Sequence, residues 1–259
     1  MTDIKEKIAG SQMVLIGLGE ELDFYRKIRK SPEYRAACEK VENAAVYPYL
    51  LAYFLQRGLK KNQEIYQNLA KLLEHKNYFI VSLCQDGSIW DSELDLNRVV
   101  TPCGDLRRLQ CEDGGHTELY PVKEMYPELE SEMEALVAGK ILETELHLPV
   151  CPQCGKPLGF NHVEAENYVE AGYLSQWSLY MKWLQGTLNR ELCVLELGVG
   201  MAYPTVIRWP FEKMTFINNK AYMYRVHSSL YQITEEIEGK AQGICQNPAD
   251  FLKELSKQY

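Results

Sequence analysis

Cys151-Pro152-Gln153-Cys154-Gly155 constrains this chain more than any other stretch. Two thiols two residues apart, with Pro between them and Gly after, form a knuckle whose sulfurs can reach one ion. Gly155 gives the backbone the freedom that a tight turn needs. A second half-site lies upstream in Cys111-Glu112-Asp113-Gly114-Gly115-His116. Cys111, His116, Cys151 and Cys154 would together complete a tetrahedral Cys3His zinc site. The alternatives are a degenerate site that holds no metal, with His147 and His162 as further ligand candidates, and a redox pair of thiols. A redox pair would precede a helix, whereas 155–159 reads as a turn, which favours a metal.

A chain of 259 residues is one large domain or two small ones and can bury a sizeable core. The net charge of −8 argues against a sequence-independent nucleic-acid binder, which clusters Lys and Arg. No apolar run reaches membrane-spanning length, and the first ten residues are too charged for a signal peptide. A cytoplasmic location is expected, where eight cysteines serve as free thiols and metal ligands rather than as a disulfide framework.

The apolar run Met13 to Ile16 leads into Gly17-Leu18-Gly19, as a buried strand entering a turn. Tyr78 to Leu83 reads as a second buried strand with an Asp86-Gly87 turn, and Leu192 to Leu197 as a third, ending in Gly198-Val199-Gly200. Met214 to Ile217 reads as a fourth, ending in Asn218-Asn219, with an additional strand over 220–227. Helices are expected over 39–56, 62–76, 123–140, 164–188, 234–241 and 248–258. Trp177, Tyr180 and Trp183 sit at helical spacing, as core or lobe contacts. Alternating strands and helices predict an α/β fold: a Rossmann-like parallel sheet with helices on both faces, plus a small zinc-ribbon-like lobe and a helical insertion. Residues 1–36, 76–107 and 190–259 would form the discontinuous sheet domain, 37–75 the helical insertion, and 108–189 the small lobe. Ligands of such sheets bind at the carboxyl ends of the strands.

In their order and spacing these segments resemble the sirtuin family of NAD-dependent deacylases and ADP-ribosyltransferases. A sirtuin runs from a strand with a Gly-Ala-Gly turn through a helical insertion to a strand ending in Thr-Gln-Asn-x-Asp-Gly. His-Gly, a zinc lobe, a strand ending in Gly-Thr-Ser and one ending in Ile-Asn come after it. The matching segments are Gly17-Leu18-Gly19, Leu83-Cys84-Gln85-Asp86-Gly87, Cys103-Gly104, the Cys111 to Cys154 lobe, Gly198-Val199-Gly200 and Ile217-Asn218. The stretch from Leu195 to Glu212 looks closer to a divergent bacterial branch, some members of which look like ADP-ribosyltransferases.

The resemblance implies that Gly17 and Gly19 let the backbone approach the NAD pyrophosphate, that Asp86 holds the nicotinamide carboxamide, that Gly198 sits beside the adenosine and that Asn218 bonds its ribose. It implies a structural zinc that takes no part in the chemistry. The chain departs from the pattern where catalysis is done. Cys84 stands at the position of the family Asn and Cys103 at that of the family His base, Glu20 and Glu21 come directly after the first glycines, and Val199-Gly200 replaces Thr-Ser. Two carboxylates beside a pyrophosphate repel it unless they turn away or a cation bridges them. Loss of a general base typically costs about 10²–10⁴-fold in rate. The expectation is a sirtuin-like pseudoenzyme that binds NAD or ADP-ribose with weak or no deacetylase activity. One alternative is an active transferase of the divergent branch, an ADP-ribosyltransferase or deacylase acting on a protein substrate. The other is a non-catalytic scaffold.

Overall fold

The computed structural model describes residues 2–58 and 63–257. In chain order its strands are β1 (Met13–Leu18), β2 (Tyr78–Ser82), β3 (Val99–Val100), β4 (Gly104–Cys111), β5 (Tyr120–Pro121), β6 (Leu158–His162), β7 (Leu192–Leu197), β8 (Ala221–His227) and β9 (Ala241–Cys245). Its helices are α1 (Thr2–Gly10), α2 (Phe24–Arg29), α3 (Pro32–Cys38), α4 (Tyr47–Gly58), α5 (Gln63–Leu72), α6 (Val122–Met125), α7 (Leu129–Val137), α8 (Leu174–Gln185), α9 (Arg208–Ile217) and α10 (Pro248–Ser256). Positions 62 and 258, the outer ends of two expected helices, lie outside the described residues.

Six of these strands form one sheet in the order β3-β2-β1-β7-β8-β9, each neighbouring pair parallel. Side chains alternate across the sheet, so each strand feeds two cores. Val14, Ile16 and Leu18 pack with Ile8, Tyr66, Leu69, Phe251 and Leu255 on one face. Met13 and Leu15 pack with Phe79, Tyr180, Phe211 and Met223 on the other. Both faces being covered explains why the strands read as unbroken apolar runs. The strand order reverses between β1 and β7, and a sheet of this kind takes its ligand at that point, outside the carboxyl ends.

The expected α/β fold with a parallel sheet is therefore present, and several local expectations are corrected. Met214 to Ile217 is the end of α9, not a strand. Ile207, Phe211, Met214 and Thr215 are buried at helical spacing, while Phe216 and Ile217 are exposed. The strand is β8, which begins after Asn218. The helix expected over 234–241 is a 3₁₀ turn, Glu235–Lys240, leading into the edge strand β9. The helix expected over 123–140 is broken at Tyr126-Pro127 into α6 and α7, since proline disfavours helical backbone before it. The helix expected over 164–188 is helical only in α8, which packs by Tyr180 and Trp177 on the large sheet rather than in the small lobe.

The small lobe is a three-stranded sheet, β5-β4-β6, with antiparallel pairing. Its core joins Leu109, Cys111, Leu158 and Phe160 to Tyr49, Leu50 and Tyr53 of α4 and to Met133 of α7. The region between β1 and β2 is thus divided: α4 covers the lobe, while α5 covers the large sheet. The crevice at the strand ends lies against the junction of the two.

Candidate functional site

The loop after β1 leads the chain across the reversal point. Gly19 N–H donates to the Leu197 carbonyl at 2.9 Å and Glu21 N–H to that of Gly198 at 3.1 Å. A Cβ on Gly19 would stand 2.2 Å from Val199 Cα, so glycine here permits direct contact of the β1 and β7 loops. Gly17 has another role. It lies within β1, where a Cβ would strike Ile207 and Phe211, so it lets α9 close on the sheet.

The next two residues, both glutamates, point onto the strand ends. The Glu20 carboxylate accepts the Gly200 N–H at 2.6 Å and the Ala202 N–H at 3.2 Å. Glu21 accepts the Ser228 N–H at 3.0 Å and lies 3.4 Å from His227 Nδ1. That nitrogen accepts the Ser229 and Leu230 N–H groups, each at 3.0 Å, so it carries no proton. Burial, first, and the Arg208 and Arg225 charges lower the His227 pKa, against the pull of Glu21.

Asp23 caps α2 and is fully buried. Its Oδ1 accepts the Tyr25 N–H at 3.1 Å, and its Oδ2 has no hydrogen-bond partner. Burial, first, and the neighbouring Asp86 push its pKa up to about 8. Asp86 Oδ2 accepts the Phe24 N–H at 2.8 Å, and Oδ1 accepts the Ser88 N–H at 2.8 Å and the Ser88 hydroxyl. These bonds tie the turn after β2 to the start of α2. Asp86 and Gly87 also form one wall of a 470 Å³ groove with Leu55 of α4, Arg107 of β4 and Tyr126 after α6. Gln85, between Cys84 and Asp86, is fully buried with both side-chain polar atoms unpartnered.

The two thiols at the substituted positions are buried. Cys84 Sγ donates to the Gly19 carbonyl at 3.6 Å. Burial, with Asp23 and Asp86 adding to it, holds the Cys84 pKa well above its ordinary value. Cys103 is pushed up to about 12 by burial, then by Glu20 and Asp23, with Arg26 opposing. Beyond burial, Asp23, Asp86 and Glu20 act on the Cys84 thiol, and Glu20 and Asp23 on that of Cys103, so these carboxyl groups and both thiols lie near one another.

Asn218 does not join them. It caps the end of α9 before β8, and its amide donates to the Thr187 and Arg190 carbonyls at 2.9 and 3.1 Å. It therefore sits at the amino end of the sheet, a strand's length, roughly 20 Å, from the crevice. The reading of Met214 to Ile217 as a strand caused this misplacement; His227 holds the carboxyl end of β8. Gly198 does lie at the crevice, with φ +67° and its Cα beside Glu21 and Pro248.

A buried ionic cluster, missed from sequence, stands beneath the crevice. Arg225 bonds both oxygens of Glu196 at 2.8 and 3.0 Å, Glu212 at 2.8 Å and the Gln232 carbonyl. Arg208 donates to the Val199 and Leu230 carbonyls at 2.8 and 2.6 Å, pinning the loops after β7 and β8. The signal was present: a Glu within Leu192 to Leu197 and an Arg within Ala221 to His227 interrupt runs that are otherwise buried, and buried charges need partners.

In the small lobe Cys111, Cys151 and Cys154 bring their sulfurs within 4.8 Å of one another, with Cys111 and Cys154 at 3.6 Å. Three converging thiols fit a thiophilic ion such as zinc. Among the described residues His116 is not part of this group, so the Cys3His set is corrected to three thiols. Glu112 to Gly115 form an exposed turn that separates His116 from Cys111 along the chain.

The reversed parallel sheet, the crevice at its strand ends and the lobe with three converging thiols define an α/β protein with a small appended lobe. The chain has the sirtuin fold. It aligns along its whole length with Sir2Tm bound to a propionylated peptide, at TM-score 0.60, 13% identity and 98% coverage of that chain. A Sir2 complex with a p53 peptide and NAD+ gives TM-score 0.57 at 14% identity over 100% of this chain and 98% of that one. A mutant Sir2 homologue with ADP-ribose gives 0.58 at 13% over 99% and 95%. A Staphylococcus aureus (strain Mu50 / ATCC 700699) protein named protein ADP-ribosyltransferase is 27% identical over 175 residues. That match takes in 67% of this chain and about half, 54%, of the relative. No family model matches.

Proposed function

We propose that this chain is a sirtuin-like protein that binds NAD or ADP-ribose at the carboxyl ends of β1, β2 and β7 and lacks ordinary deacetylase chemistry. The observation that carries the reading is the state of the two thiols. A general base works best with a pKa near the working pH. Cys103, at the family base position, is buried and pushed up to about 12, and Cys84 is raised as well. Neither takes a ribose proton at pH 7. The NAD and ADP-ribose complexes of proteins with this fold support the ligand class. NAD would supply the ADP-ribosyl group, while the residues here bind and orient.

A second reading, transfer of ADP-ribose to a protein, draws support from the name of the staphylococcal relative. The three thiols of the lobe would hold a structural zinc that fixes β4 and β6 to the knuckle.

The test is incubation with NAD and an acetyl-lysine peptide, with mass spectrometry and nicotinamide quantification as readouts. The expected result is no deacetylated peptide. Deacetylation at an ordinary sirtuin rate would overturn the reading, and nicotinamide release with protein modification would favour the transferase. Cys103→His combined with Cys84→Asn is expected to gain deacetylation over the parent.

A further inference from the structure

The Gly-rich turn after β7 is built around this chain's own carboxylates. Glu20 caps the Gly200 and Ala202 N–H groups, and Glu21 caps that of Ser228, so amides at the ends of β7 and β8 already hold anions. The glycines of the turn make the room. A Cβ on Gly200 would lie 3.2 Å from the Glu20 carboxylate, and one on Gly198 would lie 2.9 Å from Glu21 Cβ. A phosphate accepts charge-assisted bonds from backbone N–H groups in the same way as a carboxylate. From this geometry we propose that Glu20 is an internal occupant of the phosphate cradle, and that a diphosphate enters only by displacing it.

Glu21 reinforces the contact through Ser228, and the Gly19–Val199 approach closes the gap behind it. Arg208 is committed to the Val199 and Leu230 carbonyls and is not free to swing to an incoming phosphate. An incoming phosphate thus meets like charge and donors already taken. Affinity for diphosphates is therefore set by Glu20. The inference deepens the nucleotide reading, on which its ADP-ribose arm rests, whereas its inorganic arm stands alone.

The experiment is calorimetric titration of wild type, Glu20→Gln and Glu20→Ala with inorganic pyrophosphate and, separately, with ADP-ribose. Glu20→Gln keeps an acceptor for the Gly200 N–H and so guards against loss of fold, which thermal melting checks. The expected result is pyrophosphate binding at least about 10-fold tighter in Glu20→Ala than in wild type, with Glu20→Gln between them; a tenfold change corresponds to about 1.4 kcal/mol. Pyrophosphate affinity that is unchanged or weaker in both folded variants would overturn the proposal, whatever ADP-ribose does. A gain for pyrophosphate with no ADP-ribose binding would sustain the internal occupant and reject the nucleotide reading.

Discussion

Asp23 ties the chemistry of the crevice to the stability of the fold. Its acid is buried, is pushed up to about 8 by burial and Asp86, and has one oxygen without a partner. In the unfolded chain it would ionise near 3.8. Between about pH 4 and pH 8 the folded state therefore holds a proton that the unfolded state has lost, and stability falls as pH rises through that window. Thermal melts at pH 5 and pH 8 are expected to show a midpoint several degrees lower at pH 8, and Asp23→Asn is expected to remove most of that difference. An unchanged pH dependence in the variant would mean that Asp23 is ionised in the native state. The identity of Asp23 was visible in the sequence, but its burial was not, because only the packing of α2 against the turn after β2 excludes water from it. Cys84, Cys103 and Asp86 were singled out through the family resemblance, since neither a lone thiol nor an Asp-Gly turn marks a site by itself. Glu20 was legible as a conflict with a phosphate; its resolution, a carboxylate folded back onto Gly200 and Ala202, depends on the neighbouring loop.

At the scale of elements, β7 and β8 carry a buried ion network that the crevice loops lean on. Arg225→Leu would strand Glu196, and losing one partner of a buried pair costs about 3–5 kcal/mol. Chemical denaturation should show that loss in Arg225→Leu, with most of it recovered when Glu196→Leu is added. Equal losses in the single and double variants would mean that the network does not act as a pair. The thiol knuckle makes a separate prediction. The protein is expected to bind one zinc per chain, Cys151→Ser to lose it, and His116→Ala to retain it; loss of zinc in His116→Ala would restore the imidazole as a ligand. The buried strands β1, β2 and β7 were legible as short apolar runs. α9 was not, since Met214 to Ile217 taken alone suits a strand, and only the longer spacing from Ile207 to Thr215 marks a helix face. That misreading displaced Asn218 from one end of the sheet to the other. β4, β6 and β9 carry too few apolar residues in sequence to signal themselves, and they exist through pairing with neighbours.

At the scale of the molecule, a reversed parallel sheet places the loops of β1, β2 and β7 at one edge, and the small lobe with α4 stands beside it. The side chains at that edge restrict its chemistry: the thiols are unsuited to base catalysis, Asp86 is bonded to the start of α2, and Glu20 lies in the cradle. We propose that the crevice still takes NAD, and calorimetric titration of the zinc-replete wild-type protein with NAD tests this. Saturable binding of one NAD per chain is expected, with Kd on the order of 100 µM, equivalent to roughly −5.5 kcal/mol. Absence of heat at millimolar NAD, from protein that melts cooperatively, would contradict it and leave a sirtuin fold retained as a scaffold.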